Sequence, residues 1–292
     1  PAAPAVTVKA GGAELAENGW TDEEVSFKVV AGDGTVVDHY EYDDGTGWKT
    51  FDESVKYSEQ DEYSVSFRAV SRSGVESAEK TVKFNILKTL AAPEISIDKD
   101  PVGGWYAYGA KISAAIADGT FGKDQMTVEY LDGSEWTAYV APIAGDDGTH
   151  EYEFRTVTEF QSKLTPAEAS ATYSIEGTAP KVSIKSVTSD GKAYTSGSWT
   201  KDDVVFTLES GNTRSGLTYT YYVDNGTAKT ALSGDTYTAT VSGSYSFTVK
   251  SNVGGDKSES DPTEAYEVNI ENVAPAAPAV TVKAGGAELA EN

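Results

Sequence analysis

The chain has 292 residues, a formal net charge of −23 from 23 basic and 46 acidic side chains, and no cysteine. So acidic a protein repels phosphate, which excludes nucleic acid as a partner, and the missing cysteines exclude disulfides and thiolate chemistry. The only histidines are His39 and His150, so general-base and metal chemistry is poorly supplied. No apolar run is long enough to predict a membrane span.

The two ends of the chain are identical. Residues 1–18 read PAAPAVTVKAGGAELAEN, and residues 275–292 read the same. Either a natural array repeats every 274 residues or a segment was duplicated artificially; we favour the array, because residues 270–274 lead smoothly into the second copy. We expect 275–292 to form the first strand of a further repeat and to be a candidate for self-association.

A weaker period lies inside the chain. Each segment closes with an isoleucine and a linker that ends in Ala-Pro, and each carries a tryptophan at a strand start. The linker prolines are Pro93, Pro180 and Pro275, and the tryptophans are Trp20, Trp105 and Trp199. We predict three diverged copies, at 1–89, 90–178 and 179–274.

The elements of each copy follow one order. An alternating strand opens the copy (6–8, 95–97 and 182–184), and the tryptophan comes before a second strand. A strand then leads into an acidic turn, and Tyr42, Tyr130 and Tyr222 hold the same place in it; Trp48 and Trp136 follow the turn in the first two copies. A later strand carries a phenylalanine. Period-two alternation with turns every 8–12 residues predicts antiparallel strands stacked as a two-sheet sandwich.

This order of proline and opening strand, Gly/Ser-Trp, a tyrosine before an acidic hairpin turn, and Phe-Arg/Thr-x-Val resembles the bacterial immunoglobulin-like tandem repeats of large cell-surface and adhesin proteins. The resemblance implies an all-β chain of three tandem immunoglobulin-like β-sandwich domains arranged end to end. It also implies an extracellular location at the bacterial cell surface, where such repeats form stalks. The third copy departs from the pattern, because residues 227–229 replace the hairpin tryptophan.

The aromatic and proline positions have structural and binding interpretations. We expect Trp20, Trp105 and Trp199 to plug the sandwich ends near the neighbouring domain, although exposed indoles also stack on sugars. Trp48 and Trp136 are the candidates for ligand stacking. The linker prolines fix the backbone, so the linkers should be semi-rigid.

Carboxylates offer one metal hypothesis. Oxygen-rich loops between domains bind Ca²⁺ in some proteins, and the candidates here are Asp98, Asp100, Asp256, Glu259 and Asp261. The chain has no D-x-D-x-D-G loop, so calcium is the weaker interpretation and no other cofactor is expected. Adjacent carboxylates such as Asp43 and Asp44 are interpreted as solvated turn residues.

The sequence therefore predicts a non-catalytic spacer or stalk segment of a long repetitive surface protein, whose partners are the neighbouring repeats of the same chain. Two alternatives stay open. One is an adhesive module that binds host glycan or protein through its own sandwiches. The other is a strand-exchanging subunit of an extracellular fibre.

Overall fold

The computed structural model describes residues 1–32, 36–158, 160 and 164–288. The chain is all-β, and the described residues contain a single short 3-10 helix, Lys123–Gln125, and no α-helix. No helix in these ranges has the length and apolar character to cross a membrane. Residues 289–292 of the predicted final strand lie outside the described residues.

The first nine strands form a four-stranded and a five-stranded sheet, ordered β2-β1-β4-β7 and β3-β9-β8-β5-β6. We call this pair the first sandwich. Alternate β-branched and aromatic residues of both sheets, among them Val8, Phe27, Phe67 and Phe84, form one buried cluster. The strands are β1 (Ala5–Ala10), β2 (Ala13–Glu14), β3 (Gly19–Thr21), β4 (Val25–Val30), β5 (His39–Asp43), β6 (Lys49–Thr50), β7 (Lys56–Tyr57), β8 (Asp61–Val70) and β9 (Lys80–Ile86).

The next eight strands repeat this plan as the second sandwich, with sheets ordered β10-β12-β15 and β11-β17-β16-β13-β14. Ile112, Ala114 and Phe154 are buried on its alternating strands. The strands are β10 (Glu94–Ile97), β11 (Trp105–Ala107), β12 (Lys111–Ala115), β13 (Thr127–Asp132), β14 (Glu135–Ala138), β15 (Ile143–Ala144), β16 (Gly148–Val157) and β17 (Ala167–Glu176).

The third sandwich has sheets ordered β19-β18-β21-β24 and β20-β26-β25-β22-β23. Val204, Phe206, Tyr245, Phe247 and Val268 belong to its core cluster. The strands are β18 (Lys181–Ser189), β19 (Lys192–Ala193), β20 (Trp199–Thr200), β21 (Val204–Gly211), β22 (Tyr219–Asp224), β23 (Lys229–Ala231), β24 (Thr236–Ala239), β25 (Gly243–Ser251) and β26 (Tyr266–Ile270). A final hairpin pairs β27 (Lys283–Ala284) with β28 (Ala287–Glu288).

These sheets establish the predicted fold class: the chain is built of immunoglobulin-like β-sandwiches. The chain divides into two compact units, with Pro1–Asp98, Lys111–Ala144 and His150–Thr172 in the first unit and Lys99–Ala110, Gly145–Thr149 and Tyr173–Asn292 in the second. The boundary between the units runs through the strands of the second sandwich. The sequence boundaries at 89/90, 178/179 and 274/275 stay predictions.

Candidate functional site

Three tryptophans occupy equivalent positions in the three sandwiches. Each lies on a short strand that pairs in parallel with the closing strand of its own sandwich. The register is Trp20 opposite Asn85, Trp105 opposite Ser174, and Trp199 opposite Asn269. The residue directly after each closing isoleucine is therefore also equivalent: Leu87, Glu176 and Glu271.

In the first unit, Trp20 is covered by an apolar cluster. Its ring lies 5.2 Å from that of Phe121, and the cluster includes Leu87, which is fully buried, and Leu164. Gly122 has a φ of +70°, and a β-carbon there would lie only 3.1 Å from Leu87 Cδ1. The loop between β12 and β13 thus packs its backbone directly on Leu87 and Trp20.

In the second unit, Trp105 meets the corresponding loop of the third sandwich, between β21 and β22. Its indole Nε1 donates a hydrogen bond of 3.0 Å to the Ser215 carbonyl, and the Arg214 guanidinium lies 4.9 Å above the ring. The backbones also meet closely, since a β-carbon on Gly103 would lie 1.9 Å from the Gly216 carbonyl oxygen. Only glycine fits at that position.

Charged side chains surround this second contact. Arg214 donates from one terminal nitrogen to both carboxylate oxygens of Asp147, at 2.7 and 2.6 Å. Asp147 also accepts from the backbone N–H groups of Gly177 and Thr178. The Glu176 side chain is fully buried, and its carboxylate lies 3.6 Å from Arg214 Nε. That separation is too long for a hydrogen bond, and neither Glu176 oxygen has a hydrogen-bond partner within the described ranges.

The pKa values of the Glu176 and Asp147 carboxyl groups are shifted in opposite directions. Burial raises the pKa of Glu176, and the attraction of Arg214 offsets only part of that effect. Burial also acts to raise the pKa of Asp147, but the hydrogen bonds from Arg214, Gly177 and Thr178 outweigh it and lower that pKa. Glu176 is therefore the carboxyl group of this cluster whose charged form the fold disfavours.

We expect Glu176→Gln to stabilise the second unit increasingly as the pH rises. A raised folded-state pKa means that neutral Glu176 contributes stability below its unfolded pKa of about 4.3, and that this contribution is lost as the pH rises through the folded value. The free energy of unfolding should be measured by urea denaturation from pH 4 to 8. The exposed Glu267→Gln variant is the matched control. A variant that is less stable than the parent at pH 8 would contradict the prediction.

The third tryptophan differs from the other two. Trp199 is 69 % exposed, against half-buried Trp20 and Trp105. The prolines follow the same pattern, because Pro93 and Pro180 are buried and Pro275 is exposed. The third copy therefore has the plug position without a cover among the described residues.

The hairpin tryptophans each carry an arginine on one ring face. Arg68 lies 4.1 Å above Trp48 and pairs with Glu41, and Arg155 lies 4.3 Å above Trp136 and pairs with Glu129. Both pairs stand directly opposite each other across two strands, Glu41 with Arg68 and Glu129 with Arg155. Of these four charged residues, the Phe-Arg/Thr-x-Val pattern contains the two arginines without giving them a partner, and the repeated Glu-Tyr dipeptide is the signal that could have identified the glutamates.

In the third copy this arrangement is replaced. Val223, and not Tyr222, stands opposite Phe247, so Tyr222 takes the glutamate position and faces Thr248. Lys229 lies 5.4 Å from the Tyr222 ring centroid and forms an ion pair with Glu259. Proposals of ligand stacking at Trp48 and Trp136 stay untested.

The predicted calcium ligands either have other partners or are exposed. Asp98 accepts a hydrogen bond of 2.8 Å from the Lys111 backbone, and the hydrogen bond from Lys229 lowers the pKa of Glu259. The remaining candidates, Asp100, Asp256 and Asp261, are exposed. No group of three or more His, Asp or Glu side chains suited to a metal ion occurs in the part of the chain that the structure describes. Calcium binding stays untested.

Comparison with known proteins adds little to this geometry. No family model matches the chain, and no curated protein matches it. Among solved structures, it is similar to the fibronectin(III)-like modules of Clostridium thermocellum CbhA, at 16 % identity and a TM-score of 0.27, covering 57 % of this chain and 94 % of that one. The assignment to immunoglobulin-like sandwiches therefore rests on the strand order and register themselves.

Proposed function

We propose that the chain is a non-catalytic spacer: a stalk segment of a long, repetitive bacterial surface protein that extends a distal functional domain from the cell. The observation that carries the proposal is the packing at Trp20 and Trp105. In each compact unit, the tryptophan of a short strand is held by the loop that leads into the tyrosine strand of the following sandwich. Contacts of this kind limit bending at a linker, which a spacer requires and a set of independent modules does not.

The chemistry of the chain is consistent with this role. Its net charge of −23 is distributed over all three copies, and like charge of this kind keeps a long array soluble and discourages lateral association. His39 lies on the surface, and its two ring nitrogens face the carboxylates of Asp38 and Glu41. Its contacts are therefore electrostatic, and neither is with a serine or threonine hydroxyl that it could activate. A location outside the cell is part of the same proposal.

The spacer role predicts that length increases linearly with the number of periods. Chains of one, two and three 274-residue periods should differ in maximum dimension by equal steps on the order of 100 Å, since each sandwich is one strand and its end loops long. Small-angle X-ray scattering measures this dimension directly. A maximum dimension that grows only as the cube root of chain length indicates a compact globule and contradicts the role.

A further inference from the structure

The end of the third sandwich that carries Trp199 presents an apolar surface. Trp199 is 69 % exposed, Val241 63 % and Val273 76 %. All three are close to Ile270 along the strands or the chain. Trp199 lies in the strand paired with Asn269 and Ile270. Ser242, which follows Val241, accepts from the N–H of Ile270 and donates to its carbonyl, and Val273 comes three residues after Ile270. We call these three residues the Trp199 face. Of these three, Trp199 is the residue whose equivalents, Trp20 and Trp105, are half-buried.

The two equivalent surfaces indicate what covers such a face. Two loops of the following sandwich make the contact in each case. In the first unit, Phe121 comes from the loop between β12 and β13 and Leu164 from the loop between β16 and β17, and both pack in the cluster of Trp20. In the second unit, Ser215 comes from the loop between β21 and β22, and Gly255 from the loop between β25 and β26 reaches Ala107.

The corresponding loops of the first sandwich carry exposed apolar side chains. Val36 lies between β4 and β5 and is 76 % exposed, and Val75 lies between β8 and β9 and is 57 % exposed. The equivalent loops of the second sandwich carry Phe121 and Leu164, which pack in the cluster of Trp20. The first sandwich therefore has exposed apolar side chains in the two loops that would make the contact, and the third sandwich has the exposed Trp199 face that would receive them.

The sequence identifies which sandwich would follow the Trp199 face. Residues 275–292 repeat residues 1–18, so the strand that follows the third linker is the opening strand of the first sandwich. We propose that the Trp199 face binds another copy of the first sandwich, through Val36 and Val75, and that this contact joins one period of the array to the next. The inference rests on the proposed function, because it takes the chain as one period of an array.

An extended chain tests this contact. The 292 residues are continued with the sequence of residues 19–89, which completes a fourth sandwich. Hydroxyl-radical footprinting with mass spectrometry then gives the oxidation rate of each tryptophan. We expect Trp199 to be oxidised several-fold more slowly in the extended chain than in the 292-residue chain, at a rate close to that of Trp20.

Matched variants assign the contact to its residues. Val36→Asp and Val75→Asp, made only in the added copy, should restore the oxidation of Trp199, and Val140→Asp, at a position 90 % exposed in the second sandwich, should not. Hydrogen exchange of the added strands verifies that the fourth sandwich folds. Trp199 that stays fully reactive beside a folded fourth sandwich overturns the inference, and so does protection that survives both Asp substitutions.

The same extended chains separate this inference from the spacer role. If scattering shows the expected gain in length while Trp199 stays exposed, the spacer role holds and the contact is wrong. If Trp199 is protected but the length does not increase, the contact holds and the spacer role is wrong.

Discussion

Replacing Arg214 by methionine is expected to destabilise the second unit by about 1–3 kcal/mol, because the buried Glu176 carboxyl group loses the cation beside it and the partly exposed pair with Asp147 is removed. Methionine keeps an unbranched apolar chain beside Trp105 but cannot donate to Asp147, which loses two hydrogen bonds. Glu176 loses its only charge attraction within the described residues while it stays fully buried. The change in the free energy of unfolding should be measured by urea denaturation at pH 7.

A double-mutant cycle separates the two carboxylates. In the Glu176→Gln background, Arg214→Met should lower the free energy of unfolding by less than it does in the parent, because no buried carboxylate is then left unpaired. The remaining cost reports the pair with Asp147. Equal costs of Arg214→Met in the two backgrounds would mean that Glu176 and Arg214 do not interact, and would contradict this account of the cluster.

The sandwiches and the equivalent tryptophans could be predicted from sequence because both depend on local periodicity. Val6 and Val8 alternate with polar residues, and this pattern alone sends every second side chain into a core. The tryptophans recur at one place before the second strand of each copy. The register of Trp20, Trp105 and Trp199 with the closing strands agrees with that alignment.

The side chains that meet across loops could not be predicted in this way. Arg214 and Asp147 are 67 residues apart, and neither belongs to a periodic segment. The equivalent partners also differ in chemistry, since Leu87 and Glu176 hold the same position in an apolar and in a charged cluster. A one-residue error arose at Tyr222 for a related reason: tyrosines at 219, 221 and 222 offer three ways to align one strand, and only the pairing with Phe247 selects Val223.

The residue after the closing isoleucine therefore occupies an equivalent position in each copy but differs in chemistry. Leu87 lies among apolar side chains, Glu176 lies beside Arg214, and Glu271 is exposed. A buried carboxylate is tolerated only with a cation nearby, so the residue at this position has to match the loop that covers it. We expect such differences to make each contact specific for its own following sandwich.

Truncation of Leu87 to alanine tests the apolar version of this contact and should destabilise the first unit by about 2–5 kcal/mol, the usual cost of removing a fully buried leucine side chain. The loss includes the contacts with Trp20 and Gly122, so the intrinsic fluorescence of Trp20 should change before the strands unfold in urea. Leu90→Ala is the matched control, since Leu90 packs against the same cluster but is only half-buried, and it should cost less.

The substitution Leu87→Glu copies the residue of the second unit into the first and should cost more than Leu87→Ala. The carboxylate would be buried among Ile116, Met126, Phe121 and Trp20, which are the side chains of an apolar cluster. The midpoints of urea unfolding, followed by circular dichroism, rank the stabilities of the three variants. If Leu87→Ala costs no more than Leu90→Ala, or if Leu87→Glu is tolerated better than Leu87→Ala, Leu87 does not anchor the contact and matching at this position is not what makes each junction specific.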